Sequence, residues 1–381
     1  MYSLIPLTRP LISWQIISIL ILTAAAAFCL LASGVRLFEF LFIRRSNHPV
    51  ATKKKKGPEA IKENEKVQDK GRGLKAKFTQ ELNLAYDPSR RQFLKRAGAV
   101  GLLTATGFSG YGVVRQSLKP SIAQRTVIYS ELPSALNGLT IGQVTDVHIG
   151  LWTSQDDLFR ALETLRAQKP DLVVFTGDLV DRHFENAALF IEPLKVLSET
   201  PLGVYGILGN HDYYSGAAGV ANILNGHGLT LLRDQRTLLE KAPITLVGLN
   251  DSLSGMKLRR RAFISSNSID QDPDVLNFSK VQGPNRREGD FNILLNHRPE
   301  GYRQASQMGF DLFLAGHTHG GQYRVPWAPE VNVASLFYKY THGLYKEHSA
   351  WLNVSQGLGS VGIPFRLFAW PEIDLITVRK A

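Results

Sequence analysis

Five short apolar runs in this chain each stop at a cluster of Asp, Asn and His. The clusters are Asp146-Val-His148, Gly177-Asp178, Gly209-Asn-His-Asp212, Asn296-His297 and Gly316-His-Thr-His319. The run before the last cluster, Phe310–Ala315, has the length and apolar content of a strand covered on both faces. Gly316, Gly320 and Gly321 let the backbone turn there and approach a ligand closely. In open α/β sheets ligands collect beyond the carboxyl ends of the strands. Five such ends with the same chemistry therefore predict one site built from residues far apart in sequence. Any single cluster is weak: Asp-x-His is common, Gly-Asp is more often a turn, and Gly-Asn-His-Asp also reads as a capped turn. Their succession, each behind an apolar run and together holding five of the ten histidines, carries the reading.

The residue types suit bound cations. Carboxylates neutralise the charge of a dication and can bridge two ions. Imidazoles hold Mn, Fe or Zn, and an Asn amide oxygen adds a ligand without adding charge.

Around these clusters strands alternate with helices. Strands are predicted at Leu139–Val144, Leu172–Phe175, Val204–Leu208, Thr245–Leu249, Phe291–Leu295, Leu312–Leu314, Trp351–Val354 and Leu375–Val378. Ser154 caps a helix whose Leu158, Ala161, Leu162 and Leu165 share one face, and Pro170 closes it. A second helix is expected around Asn186–Ser198, with Pro193 obscuring its start, and a short one near Ala217–Asn225. The polar stretch Asp251–Asp290, with Arg259-Arg-Arg261, reads as a surface insertion. The alternation predicts an α/β domain over residues 124–381, globular from about Thr126.

What precedes that domain is of another kind. Leu11–Val35 contains no charged residue and exceeds the roughly 20 residues that cross a bilayer, so residues 1–43 are expected to hold a retained transmembrane segment. Its Cys29, the only cysteine, excludes an intrachain disulfide. Residues 44–88 form a polar, basic linker. Of 44 Lys/Arg and 33 Asp/Glu in the chain, 16 and 6 lie between Arg44 and Arg96, leaving 28 and 27 elsewhere. The net charge of +11 therefore belongs to the linker, and a nearly neutral domain argues against a nucleic-acid partner. Within 89–123, Ser89-Arg-Arg-Gln-Phe-Leu-Lys95 and the apolar stretch Ala97–Val114 resemble a twin-arginine export signal. The resemblance implies a translocase partner and export of a folded protein. Either Ala97–Val114 remains as a second anchor, or cleavage follows Ala123. Basic residues beside membrane segments stay inside, so the linker is expected to face the cytoplasm. The domain would then lie outside it at the cell membrane. The opposing arrangement keeps the domain cytoplasmic.

From Leu139 to Arg379 the sequence resembles the calcineurin-like metallophosphoesterases, including Gly343-Leu-Tyr345 and Gly357–Phe365. That family implies a four-layer αββα sandwich of two mixed sheets, with two divalent transition-metal ions. Position by position, the resemblance assigns Asp146, His148 and His319 to one ion. Asn210, His297 and His317 go to the other, with Asp178 bridging. It leaves His211 as general acid, with Asp212 orienting it. The implied activity is hydrolysis of a phosphoester or pyrophosphate, lipid- or nucleotide-linked, by a metal-activated water. Narrower or different readings are a UDP-2,3-diacylglucosamine pyrophosphatase and a catalytically silent binding module. His183, His342 and Tyr345 are weighed as cleft residues and read as ordinary, and Arg259–Arg261 as a solvated loop.

Overall fold

In a computed structural model of the chain, the structure describes residues 120–150, 152–251, 276–325, 327–362 and 364–381, with a few helical positions between 92 and 107. Among the described residues no helix is long and apolar enough to cross a membrane. The expected segment Leu11–Val35, the linker, most of the twin-arginine-like run, most of Ala97–Val114 and Arg259–Arg261 lie outside the described residues.

Fourteen strands are described. The first sheet uses β1 (Ser121–Tyr129), β2 (Thr140–Val144), β3 (Leu172–Thr176), β4 (Val204–Ile207), β5 (Thr230–Leu231) and β14 (Glu372–Lys380), in the order β1-β14-β2-β3-β4-β5. The second uses β6 (Gln235–Leu239), β7 (Ile244–Gly248), β8 (Phe291–Leu295), β9 (Leu312–Ala315), β12 (Gly343–Glu347) and β13 (Ala350–Val354), in the order β12-β13-β9-β8-β7-β6. Strands β10 (Arg324–Val325) and β11 (Ala328–Asn332) form a separate hairpin. Both large sheets mix parallel and antiparallel pairs.

The sheets pack face to face. Ile141, Val174, Ile207 and Ile376 of the first meet Leu246, Ile293, Leu295 and Leu314 of the second in one buried cluster. Neighbours along each strand point to the opposite face. Thus Val144, Val173 and Phe175 pack outward against α1 (Gln155–Arg166) and the segment that follows β3. On the far side Leu294, Phe313 and Leu352 pack against Tyr302 and Ala305 of α4 (Tyr302–Gln307). Covering on both faces explains why β3, β7, β8 and β9 are largely apolar and fully buried.

Several local expectations change. Ser154 and Asp157 close a reciprocal capping box on α1, which ends at Arg166. The helix expected over Asn186–Ser198 is instead three short pieces, Phe184–Phe190, Ile191–Leu194 and Lys195–Leu197. Pro193 cannot donate to a continuous ladder. The Gly209 block opens a helix not anticipated, α2 (Asn210–Ser215), followed by α3 (Ala217–Leu224). The folded unit also starts earlier than Thr126. Ser121, Ile122 and Ala123 pair with Glu372, Ile373 and Asp374, so a cut after Ala123 would remove three rungs of the β1–β14 ladder.

Candidate metal centre

Strands β2, β3, β8 and β9, with the turn after β4, bring the five clusters to one end of the molecule. Backbone hydrogen bonds lock them together. Asp146 N–H donates to Gly177 O (3.0 Å), His148 N–H to Asp178 O (3.0 Å) and Gly316 N–H to His297 O (2.9 Å). Asp146, His148, Asp178, His317 and His319 all have positive φ, between 47° and 71°. Each left-handed non-glycine residue costs on the order of 1–3 kcal/mol and persists only where its surroundings over-determine it. Two glycines permit the closeness. A Cβ on Gly209 would collide with the Asp178 carboxylate, and one on Gly316 with the side chains of Thr145 and Asp146.

Two sets of donor atoms result, Asp146–His148–His319 and Asp178–His297–His317, each within 4.8 Å. Each carboxylate gives one oxygen to the protein. Asp146 Oδ2 accepts from His317 N–H (2.9 Å) and the Thr145 hydroxyl (2.8 Å), and Asp178 Oδ1 accepts from His211 N–H (2.7 Å). The other oxygen faces imidazoles. Asp146 Oδ1 lies 3.2 Å from His319 Nε2. Asp178 Oδ2 lies 3.1 Å from His297 Nε2 and 3.6 Å from His148 Nε2, so one oxygen looks toward both sets.

These atoms fit a cation. His297 Nδ1 lies 2.8 Å from the Thr176 carbonyl, an acceptor, so Nδ1 carries a proton. In the neutral ring Nε2 then presents a lone pair to Asp178. Two acceptors at that distance need a proton or a metal ion between them. His297 Nε2 and Asp146 Oδ1 are buried and make no hydrogen bond, as expected of ligand atoms. Electrostatics agree. Burial would lower the His297 pKa, yet the adjacent charge of Asp178 outweighs it and raises it to about 10. Asp178 is pushed the opposite way: burial raises it, and His297 and His148 more than reverse that. Burial drives His148 down to about 3, leaving it a neutral donor.

Asn210, buried beside this set, has Oδ1 3.4 Å from Arg298 Nη2. His211 Nδ1 lies 3.1 Å from Asp181 Oδ1, and a nitrogen of His211 also comes within 4.8 Å of donor atoms of His148 and Asp178. The assignment of Asp212 as its orienting partner is corrected by the geometry. The Asp212 carboxylate is buried and accepts from the backbone N–H groups of Leu179, Val180 and Gly209. It holds the β3 and β4 turns in register, and Asp181 is the residue at His211.

Other neighbours fall outside the five clusters. Arg298 lies 2.9 Å from both His317 Nε2 and Asp251 Oδ2. Tyr338 Oη lies 2.9 Å from His317 Nε2. Arg366 is buried with Nη2 3.0 Å from His319 Nδ1. Arg298 directly follows the Asn296-His297 cluster, and Asp181 lies three residues after Asp178. His183 is exposed in the turn after β3. His342 joins Arg125, Arg324 and Glu372 in an ionic network, and the Tyr345 hydroxyl accepts from Thr341 N–H.

Two mixed sheets with facing carboxylate–imidazole sets at one end define a metal-dependent hydrolase. The calcineurin-like phosphoesterase family pattern matches residues 139–321. The chain is 32% identical over 306 residues to the metallophosphoesterase YkuE of Bacillus subtilis (strain 168), covering 77% of this chain and 98% of that one. It is 31% identical over 289 residues to a metallophosphoesterase of Helicobacter pylori (strain J99), covering 75% and 71%. It is 30% identical over 296 residues to a transmembrane protein with metallophosphoesterase domain from Danio rerio, covering 75% of this chain and 63% of that protein. The chain belongs to the calcineurin-like metallophosphoesterase family, and its activity is that of a metal-dependent phosphoesterase.

Proposed function

We propose that the protein is a membrane-tethered phosphohydrolase with a dinuclear centre of Mn, Fe or Zn, cleaving a phosphoester or pyrophosphate bond. The observation that carries this is the Asp178 carboxylate, with one oxygen turned toward both His148 and His297. Asp146, His148 and His319 would hold one ion, Asn210, His297 and His317 the other, and Asp178 both. When bound, the two ions supply Lewis-acid activation of water and of the phosphoryl oxygens.

The remaining work falls to the protein. Burial opposes a charge on His211, but the hydrogen bond of Asp181 and the charges of Asp178, Asp181 and Asp146 prevail and raise its pKa. With Nδ1 held by Asp181, His211 Nε2 is the atom that delivers a proton to the leaving oxygen. Arg298, fixed by Asp251, places a permanent cation beside the second set, where a phosphoryl oxygen would lie. This complete arrangement speaks for catalysis over a silent scaffold.

The tether is supported by the uncharged stretch Leu11–Val35 and the twin-arginine-like run. A relative named as a transmembrane protein adds to it. The excess of linker Lys/Arg favours the domain lying outside the cytoplasm. Elemental analysis of protein purified without chelator, alongside hydrolysis of p-nitrophenyl phosphate mono- and diesters, tests the chemistry. Fully active metal-free protein would refute it. Protease access to the domain in spheroplasts tests the topology, and protection would refute the outward placement.

A further inference from the structure

An exposed apolar surface adjoins the metal centre. Trp327, Leu336 and Phe337 are 86%, 77% and 78% exposed, and Val331 and Val333 are exposed with them. Trp327, Val331, Val333 and Leu336 fall within the β10–β11 hairpin and the helical turn Val333–Leu336 just after it, and Phe337 follows that turn directly. This piece is fastened to the site. A Cβ on Gly321, two residues after His319, would lie 2.7 Å from Asn332 Oδ1 and 2.8 Å from Val333 N. Tyr338, next to Phe337, meets His317. Soluble domains rarely display such a concentration of large apolar side chains without a partner for them. Trp in particular is suited to the boundary between water and hydrocarbon.

The course of the chain indicates the partner. Strand β1 begins at Ser121 opposite Glu372, and Asp374 pairs with Gln143 near the carboxyl end of β2. The chain therefore enters the domain at the end where Asp146 and His148 lie. It enters beside the hairpin. Arg125 of β1 is 3.2 Å from His342 Nε2, and Arg324 of β10 is 3.0 Å from His342 Nδ1. Upstream of Ser121 lies the uncharged stretch Ala97–Val114, with residues 115–120 between. Six residues span at most about 20 Å. A bilayer holding that stretch would lie within reach of the hairpin and the mouth of the site.

We infer that the β10–β11 hairpin and the following turn seat on the bilayer surface, with Trp327, Leu336 and Phe337 at the headgroup–acyl boundary. The substrate class is then a phosphoester or pyrophosphate carried by an amphiphile in that bilayer. This rests on the membrane-tethered phosphohydrolase reading above. The apolar anchors hold the mouth at the surface, and an interfacial substrate need not leave the membrane to reach the centre.

The test uses the full chain, metal-loaded and reconstituted into phosphatidylcholine vesicles with brominated acyl chains. Bromine should quench the fluorescence component that Trp327→Phe removes. Equal fractional quenching of wild type and W327F would overturn the inference. A second measurement compares methyl and hexadecyl p-nitrophenyl phosphate, which share a leaving group. Trp327→Ser with Leu336→Ser should leave turnover of the methyl ester at the wild-type rate. Turnover of the vesicle-borne hexadecyl ester should fall by about tenfold or more. An unchanged ratio between the two esters would overturn it. So would a detergent-soluble dimer that this double substitution dissolves with no bromine quenching of the Trp327 component, since a second copy would then be the occupant. Failure of the wild type to hydrolyse either ester would count against the phosphohydrolase reading alone, because the quenching still decides whether the hairpin meets lipid.

Discussion

Asp178 and His297 face each other across 3.1 Å, Oδ2 to Nε2, on strand ends 119 residues apart in sequence. Each is already committed on its other side, Asp178 to His211 N–H and His297 to the Thr176 carbonyl. Neither can turn away to find another partner.

Asp178→Asn should therefore empty the centre rather than merely weaken it. The amide keeps the shape but removes the charge directed at both sets. Metal content should fall, and turnover should drop by about a thousandfold or more, corresponding to the several kcal/mol that metal activation supplies. Elemental analysis beside steady-state kinetics checks this. Retention of two ions with normal turnover is the contrary result.

His211→Gln should behave differently. Metal content and fold should persist while turnover falls about 10²–10⁴-fold. The loss should shrink for p-nitrophenyl leaving groups, which need little protonation. Equal impairment on p-nitrophenyl and alkyl esters at matched metal content would remove His211 from the proton-transfer role.

The pH profile should report Asp181. Its contacts raise the pKa of His211, so the acid form survives to higher pH and activity declines only as pH climbs through that raised value. Bound cations offset the charges of Asp146 and Asp178, whereas Asp181 belongs to neither donor set. In Asp181→Asn the alkaline limb of kcat should shift to lower pH. The acid limb and metal content should stay in place. An alkaline limb that does not move would disconnect the two residues.

Stability of the metal-free protein should depend on pH in a defined sense. His297 is raised from 6.5 to about 10, so its contribution is complete below about 6.5 and is lost as pH rises toward 10. Asp178 is lowered from 3.8, so its contribution is present above about 3.8 and is lost on acidification. Denaturation midpoints of chelator-treated protein should be highest between those limits, and His297→Gln should flatten the alkaline decline. Added divalent metal should restore stability on the alkaline side, where deprotonated imidazole favours coordination.

Gly316→Ala examines the close approach at the end of β9. The new methyl would meet Thr145 and the oxygen of Asp146 that accepts from His317 N–H. Displacement of that carboxylate should cost about 1–3 kcal/mol and reduce metal content, read by thermal denaturation and elemental analysis together. An unchanged midpoint would show that the turn can relax.

The sheets were legible because both faces of their central strands are buried, which leaves continuous apolar runs such as Leu172–Phe175 and Leu312–Ala315. The clusters stood out because polar residues interrupt those runs abruptly. Residues that act across the fold left no such mark. Arg298 reaches Asn210, 88 positions away, and Asp251, 47 away; it directly follows His297, but those two partners are set by the fold and not by that adjacency. Asp212 lay in the right block, yet its carboxylate serves backbone amides, a choice that only the turn geometry makes. Strand β1 is exposed or half-buried until Val127 and follows the uncharged stretch after only six residues, so its start at Ser121 was hidden.

The position of β14 between β1 and β2 bears on when the domain can form. Arg125 and Asp374, which meet at 2.9 Å, are 249 residues apart. The opening strand of the sheet has no neighbour until the chain has been made almost to residue 380, because β14 is the strand it pairs with. Strand pairings this distant in sequence close late and slowly. As it leaves the ribosome the domain is an incomplete sheet with an unpaired inner edge. A route that exports only finished domains would carry it across after β14 has locked in, with its metal-binding end already assembled.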